Sequence, residues 1–129
     1  MRGRSLSRNV FETIQSEYVT TNGGLAGLSN SAALEAVLNA ANELTAGERP
    51  DLFKMAAMYL CQLARTRPFA DANAQTAFVC SFAFLLLNGH MIEASHAEIV
   101  VLMLDIAAGE IDEAGAAAFL ADHTVPYPA

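Results

Sequence analysis

The 129-residue sequence has no Trp, only two Cys and no apolar run long enough to cross a membrane. Both Cys61 and Cys80 lie in apolar segments with helical spacing, so we expect free buried thiols in a reducing cytoplasm and no disulfide framework. The longest apolar run, residues 77–87, is interrupted by Ser81 and is far shorter than the roughly 20 residues of a membrane span. These shortages exclude a secreted disulfide scaffold and a membrane protein.

Positive charge is missing from the second half of the chain. All seven Lys and Arg occur in the first 67 residues, which carry net +1, whereas the last 62 residues carry −8. A nucleic-acid binder needs a basic face, and only Arg2, Arg4 and Arg8 could supply one. We favour a flexible, solvated basic tail over residues 1–8 and expect no specific nucleic-acid partner.

Apolar residues make up 53% of the chain, and Ala, the strongest helix former, is frequent. Apolar stripes, capping residues and glycines predict one all-α domain of about six helices, with the apolar segment 77–87 in a buried central helix. In the first helix the stripe predicts that Val10, Ile14 and Tyr18 are buried. The predicted helices run from about 6 to 20, 31 to 44, 50 to 66, 73 to 88, 95 to a stop at 109, and 112 to 122.

The segment RPFADANAQT, residues 67–76, joins a proline-containing loop to the start of the apolar helix. The first amides of a helix lack intrahelical partners and carry partial positive charge, so this loop is suited to an anion such as phosphate. Asn73 would then cap the helix or hold the anion, and Asp71 would hold a metal or orient a hydroxyl. The alternative, which these residues alone favour, is that both side chains only cap the helix.

The same segment resembles the signature of the Fic/Doc family (filamentation-induced-by-cAMP and death-on-curing proteins), roughly His-x-Phe-x-Asp-(Ala/Gly)-Asn-(Lys/Gly)-Arg-Thr. The matching residues are Phe69, Asp71, Ala72, Asn73 and Thr76. The sequence FLLLNG at 84–89 resembles the end of the family's next helix, and the glycine-containing loop 23–28 is similar to that of the death-on-curing branch. The resemblance implies the family's compact bundle of helices around a buried central helix.

Three positions depart from that signature. The family has at position 67 the His that acts as general base, whereas Arg67 stays protonated at ordinary pH and cannot accept a proton. Ala74 and Gln75 stand where the family has a Lys or Gly and then an Arg, and a Gln donates hydrogen bonds without the charge that binds nucleotide phosphate. Phe69 is expected to anchor the loop in the core, and Asp71 is the retained polar catalytic position.

The resemblance therefore implies a site with Arg67 and Asp71 at its catalytic positions. The residues expected to bind phosphate or nucleotide are Arg65, Asn73, Ala74, Gln75 and Thr76. Arg65 and Arg67 would bracket the mouth of this site and could retain phosphate binding, or both are solvated. His90, His96 and His123 are expected at the surface or at helix ends, and no metal site is expected.

Family members transfer a phosphoryl or AMP group from ATP, with Mg²⁺, to a protein hydroxyl. Death-on-curing toxins phosphorylate a translation elongation factor, and a small antitoxin neutralises them through a tail that docks near the motif. The resemblance thus implies a toxin–antitoxin module, with an antitoxin-like protein or a translation-factor-like target as partner. The altered motif favours a pseudoenzyme that binds a protein or nucleotide. The alternatives are an active transferase and a helical interaction module that binds no nucleotide.

Overall fold

A computed structural model describes residues 5–45 and 51–128 of the protein. Its helices are α1 (Arg8–Asn22), α2 (Ser31–Thr45), α3 (Leu52–Thr66), α4 (Asn73–Leu87), α5 (His96–Ala107) and α6 (Glu113–Asp122). The strands β1 (His90–Ile92) and β2 (Thr124–Pro126) form an antiparallel pair, in which Met91 lies opposite Val125. The predicted all-α class and the six predicted helices are confirmed, whereas the short strand pair was not predicted.

Local capping explains where several helices begin. The Asp51 carboxylate accepts a hydrogen bond from the Lys54 amide at 3.1 Å, and Asp112 caps α6 in the same way. Ser95 and Glu98 form a reciprocal capping box at the start of α5. Pro50, expected near the start of α3, lies outside the described residues.

Helices α3 and α4 together occupy the centre of the bundle. The middle of α3, residues 55–61, is buried without interruption. Tyr59 in that segment makes edge-on ring contacts with Phe11 of α1 and Phe84 of α4, at centroid distances of 5.2 and 5.3 Å. The outer side of α4 is partly exposed at Val79, so the central position predicted for α4 is shared with α3.

Helix α1 is rotated relative to the prediction. Its most buried residues are Phe11, Gln15 and Val19, whereas Val10 and Ile14 are only partly buried against the core. Phe11 packs on the ring of Tyr59, and the Gln15 side chain finds hydrogen-bond partners in two loops. Because both stripes are equally compatible with helical spacing, tertiary contacts decide which of them faces inward.

The N-terminal segment is packed from Leu6 onward. Leu6 is buried, and its amide donates a hydrogen bond to the Tyr59 hydroxyl at 3.2 Å. Arg8 begins α1 and pairs with Glu35 of α2. The tail predicted over residues 1–8 is therefore ordered in its described part, and residues 1–4 lie outside that part. Within the described ranges, every helix is too short or too polar to cross a bilayer.

Candidate functional site

Two loops meet at the start of α4. The motif loop (residues 67–72) connects α3 to α4, and the glycine loop (residues 23–28) follows α1. The Ala70 amide donates to the Gly27 carbonyl at 2.9 Å, and Leu28 pairs with Phe69 in an isolated antiparallel bridge. Two of the three sequence segments that resemble the Fic/Doc family are thus in direct contact.

Residues with left-handed backbone conformation at both ends of the motif loop determine the path of its backbone. Arg67 has φ +50° as the C-cap of α3, and Ala72 has φ +61° as the N-cap of α4. Non-glycine residues in this region carry strain of order 1–3 kcal/mol and persist where the surroundings hold them. Two left-handed turns of the chain therefore lie on either side of Phe69.

Asn73 and Phe69 close the motif loop. Phe69 is only 2% exposed, so it anchors the loop in the core as predicted. The Asn73 Oδ1 accepts from the Phe69 amide at 2.9 Å, and its Nδ2 donates to the Phe69 carbonyl at 3.0 Å. Because both polar atoms of this buried side chain are bonded to the loop, Asn73 does not cap α4.

Asp71 binds the glycine loop and does not cap α4. Its Oδ2 accepts a hydrogen bond from the Leu25 amide at 2.8 Å, and its backbone carbonyl accepts one from Gln15 Nε2 at 3.1 Å. The glycine loop packs closely against it, since a Cβ on Gly24 would lie 3.4 Å from the Asp71 carboxylate. The helix caps that the residues alone favoured for Asp71 and Asn73 are therefore not formed.

A polar cleft of about 270 Å³ opens between the two loops. Its lining residues are Tyr18, Asn22, Gly23, Gly24, Asp71, Ala72 and Gln75. This cleft combines the retained Asp71 carboxylate, the altered position Gln75 and the tyrosine of α1.

The electrostatics of this cleft suit a nucleotide polyphosphate poorly. Among its described lining residues there is one carboxylate and no Lys, Arg or His. No described side chain caps the first turn of α4, so the helix dipole there can attract an anion. In the described ranges no three His, Cys, Asp or Glu side chains are grouped to hold a metal ion. Among the described lining residues, Asp71 is the one acidic side chain that could contact a metal ion, and no cationic side chain faces a triphosphate.

The two candidate arginines are not brought together at the cleft. The Arg65 guanidinium donates to the backbone carbonyls of Ile106 at 3.4 Å and Ile111 at 2.5 Å, where α5 connects to α6. Arg67 is exposed at the start of the motif loop. Arg65 therefore holds the end of α5 and does not line the cleft.

The remaining phosphate-site candidates divide by exposure. Ala74 and Gln75 are exposed on the first turn of α4, where longer side chains would have room. Thr76 is fully buried, and its hydroxyl has no hydrogen-bond partner among the described residues. Of these three, Gln75 alone reaches the polar cleft.

The histidines and cysteines lie elsewhere in the described structure. His90 packs against the Phe53 ring, and His123 pairs with Glu98 at 2.9 Å. Both cysteines are buried and free, as predicted. Burial raises the pKa of Cys61 to about 11 and raises the pKa of Cys80 as well, so neither is a thiolate nucleophile at neutral pH.

An apolar groove of about 490 Å³ runs between α4 and α5, and Tyr18 and Gln75 line both this groove and the polar cleft. Its walls include Val79 on α4 and Val100 and Leu104 on α5, all of which are exposed. Buried stripes alone did not predict this outer apolar face of α5. The signal was there, because the apolar run at residues 99–104 is wider than one stripe.

The role of Gln15 was also not predicted from the sequence. Its side chain is fully buried and bonded to Leu25, Gly27 and Asp71. A polar residue four positions from both Phe11 and Val19 was the available signal, since it sits on an otherwise apolar face of α1.

The chain is similar in sequence to known proteins. Residues 4–85, which include both loops, match the model of the Fic/DOC family. The protein kinase doc of Escherichia phage P1 is 33% identical over 109 residues, which cover 84% of this chain and 86% of that protein.

Proposed function

This chain belongs to the Fic/DOC family, and we propose that it is a catalytically impaired member that acts by binding. The observation that carries the proposal is Arg67, which occupies the position of the signature's His. An arginine cannot act as general base, and no described residue lining the cleft is a His that could replace it. The proposed ligand of the site is a protein or a nucleotide that is bound without group transfer.

The charges of the cleft support impairment of phosphoryl transfer. Enzymes of this reaction class stabilise the charge of the transferred phosphoryl group with cations, and loss of one such group lowers the rate strongly. Here Ala74 and Gln75 are uncharged, and the Arg65 guanidinium is bound to carbonyls at the end of α5. A nucleotide would be held mainly by the first-turn amides of α4, beside the negative charge of Asp71.

The apolar groove supports binding of a partner protein. A groove with exposed Val79, Val100 and Leu104 fits the apolar face of an amphipathic helix. Helices α4 and α5 contain no Lys or Arg, whereas α5 contains Glu98 and Asp105, so basic residues on the partner helix would complement the net charge of these two helices. We propose an antitoxin-like protein as this partner, in a toxin–antitoxin-like module. The two free thiols suggest that it acts in the cytoplasm.

The second candidate is an active transferase. It is favoured by the likeness to a protein named as a kinase and by the retained Asp71, whose carboxylate faces the cleft. Asp71 would then have to accept the proton of the target hydroxyl in place of the missing His.

Calorimetry with Mg-ATP, combined with transfer of labelled phosphate from ATP to proteins of a cell extract, separates these functions. We expect weak or no heat of nucleotide binding and no labelled protein. Robust transfer of phosphate would refute the proposal of a pseudoenzyme and show that the protein is an active kinase. Tight nucleotide binding without transfer would assign a nucleotide-binding role, whereas no nucleotide binding would leave the partner protein as the ligand.

A further inference from the structure

Gln15 lies in the middle of α1 with its side chain fully buried, in contact with neither solvent nor the polar cleft. Its neighbours on the same face, Phe11 and Val19, are apolar. Burying an amide among them is unfavourable unless its hydrogen bonds are made. An apolar side chain would serve the core equally well, so the amide points to a specific polar task.

That task joins the two loops. Gln15 Nε2 donates to the carbonyls of Leu25 at 2.9 Å and Asp71 at 3.1 Å, and its Oε1 accepts from the Gly27 amide at 3.1 Å. Both N–H groups of the amide are therefore used, each on a different loop. One side chain on a rigid helix thus holds the glycine loop and the motif loop at a fixed separation.

The bonds form a closed cycle around the Asp71 carboxylate. Leu25 donates from its amide to Asp71 Oδ2 at 2.8 Å, while the Leu25 carbonyl and the Asp71 carbonyl both accept from Gln15. Moving either loop would break a bond to Gln15 and would also strain the bond between Leu25 and Asp71. The direction of the carboxylate in the cleft is therefore linked to the amide of Gln15.

We propose that Gln15 is a positioning residue of the cleft, which fixes the Asp71 carboxylate by clamping the glycine loop to the motif loop. The importance of this clamp for binding rests on the proposed function, but the clamp itself is a property of the unliganded chain. It can therefore be measured without ligand.

The sharpest test is amide hydrogen exchange, followed by NMR, in the full chain and its Gln15→Glu variant. Glu keeps the oxygen that accepts from Gly27 but loses the donors to Leu25 and Asp71. We expect exchange of the Leu25 amide to accelerate by about tenfold or more, while Gly27 and the core amides of α3 change little. A Leu25 amide that exchanges as in the wild type, or an equal acceleration at all amides, would overturn the proposal.

Gln15→Leu and Gln62→Leu form the matched pair. Gln15→Leu removes all three bonds, so both Leu25 and Gly27 should lose protection. Gln62 is a half-buried glutamine of α3 whose amide donates to Glu113 at 3.0 Å, and its loss should leave both amides protected. Loss of Leu25 protection in the Gln62 variant would contradict the assignment. If Gln15→Leu does not fold, the contrast between Leu25 and Gly27 in Gln15→Glu still decides the question.

Calorimetry with Mg-ATP on the Gln15→Glu variant then addresses function separately. If the wild-type chain binds the nucleotide, we expect about tenfold weaker binding in the variant, because the two loops that lead to the first turn of α4 would then have to be ordered on binding. Unchanged affinity would overturn the role of the clamp in binding. If the wild type binds no nucleotide, nucleotide binding by the cleft is refuted, whereas the exchange pattern still decides whether Gln15 clamps the loops.

Discussion

The Asn73 side chain makes the two hydrogen bonds to Phe69 that the backbone of a neighbouring β-strand would make. It accepts from the Phe69 amide at 2.9 Å and donates to the Phe69 carbonyl at 3.0 Å. This pair turns the motif loop back on itself directly before α4. It explains why the chain keeps the aromatic and the amide of the Fic/Doc signature although the basic positions have changed. These two residues build the loop, whereas the altered positions 67, 74 and 75 face outward.

Replacing Asn73 with Ala should lower the free energy of unfolding by about 1–3 kcal/mol, because it leaves the backbone of buried Phe69 short of partners. Urea denaturation measures this directly. The control is Asn39→Ala on the exposed face of α2, which should change stability by no more than about 0.5 kcal/mol. Equal effects of the two substitutions would contradict the structural role of Asn73.

The helices were predictable because their signals are local. Ser95, Asp112 and the glycines mark ends within a few residues of the apolar stripes, and helix ends depend on such neighbours. The pairing of β1 with β2 was not predictable, because it joins two three-residue segments more than 30 residues apart. Neither segment carries an alternating pattern long enough to indicate a strand.

The position of the site in the sequence was predictable, but the three-dimensional contacts of its residues were not. Motif residues and their departures could be identified from sequence order alone. The hydrogen-bond partners of Asn73 and Arg65 could not be predicted. They depend on the left-handed turn at Ala72 and on where α5 ends beside α3. Gln15 was missed because polar residues are ordinarily assigned to the outer face of a helix.

Restoring the family residues tests whether the fold still supports catalysis. In the variant Arg67→His, Ala74→Lys, Gln75→Arg we expect labelled phosphate transfer to rise by about 100-fold or more, the contribution typical of a general base. All three positions are exposed, and His tolerates the left-handed backbone at position 67 well. The assay measures transfer from ATP to proteins of a cell extract.

The control for this revertant is the same variant with Asp71→Ala added, which should lose the gained activity. Thermal unfolding confirms that both variants are folded. A folded revertant that transfers nothing would show that more than these three positions has changed, and it would count against a site that is impaired only at its charged groups.

His123 joins the end of α6 to the start of α5 in a pH-dependent way. Its Nδ1 is 2.8 Å from the Phe119 carbonyl and its Nε2 is 2.9 Å from the Glu98 carboxylate, so both bonds are made only by the protonated ring. The Phe119 carbonyl and then Glu98 raise the pKa of His123. Hydrogen bonds from Ser95, followed by that from His123, lower the pKa of Glu98.

The raised pKa of His123 predicts stability that is fully present below its unfolded value of about 6.5 and is lost as pH rises through the folded value. The lowered pKa of Glu98 predicts stability that is present above about pH 4.3 and is lost as pH falls through its folded value. Between about pH 6 and about pH 8.5, the melting temperature should therefore fall more in the wild type than in His123→Gln. The control is His96→Gln, an exposed change on α5, in which the melting temperature should depend on pH as in the wild type. If the melting temperature of His123→Gln also depends on pH as in the wild type, the pairing of His123 with Glu98 is refuted.

Substitutions at two exposed leucines, one inside the groove between α4 and α5 and one outside it, test whether this groove binds a partner protein. Leu104 is 63% exposed in the groove wall, and Leu87 is 45% exposed at the end of α4, away from it. Leu104→Asp puts a charge where we expect the apolar face of the partner helix, so a partner retained from an extract by the wild-type chain should be lost. Leu87→Asp should retain it, since neither substitution disturbs the core. A protein held equally by both variants would bind elsewhere, and the groove would not be the docking surface.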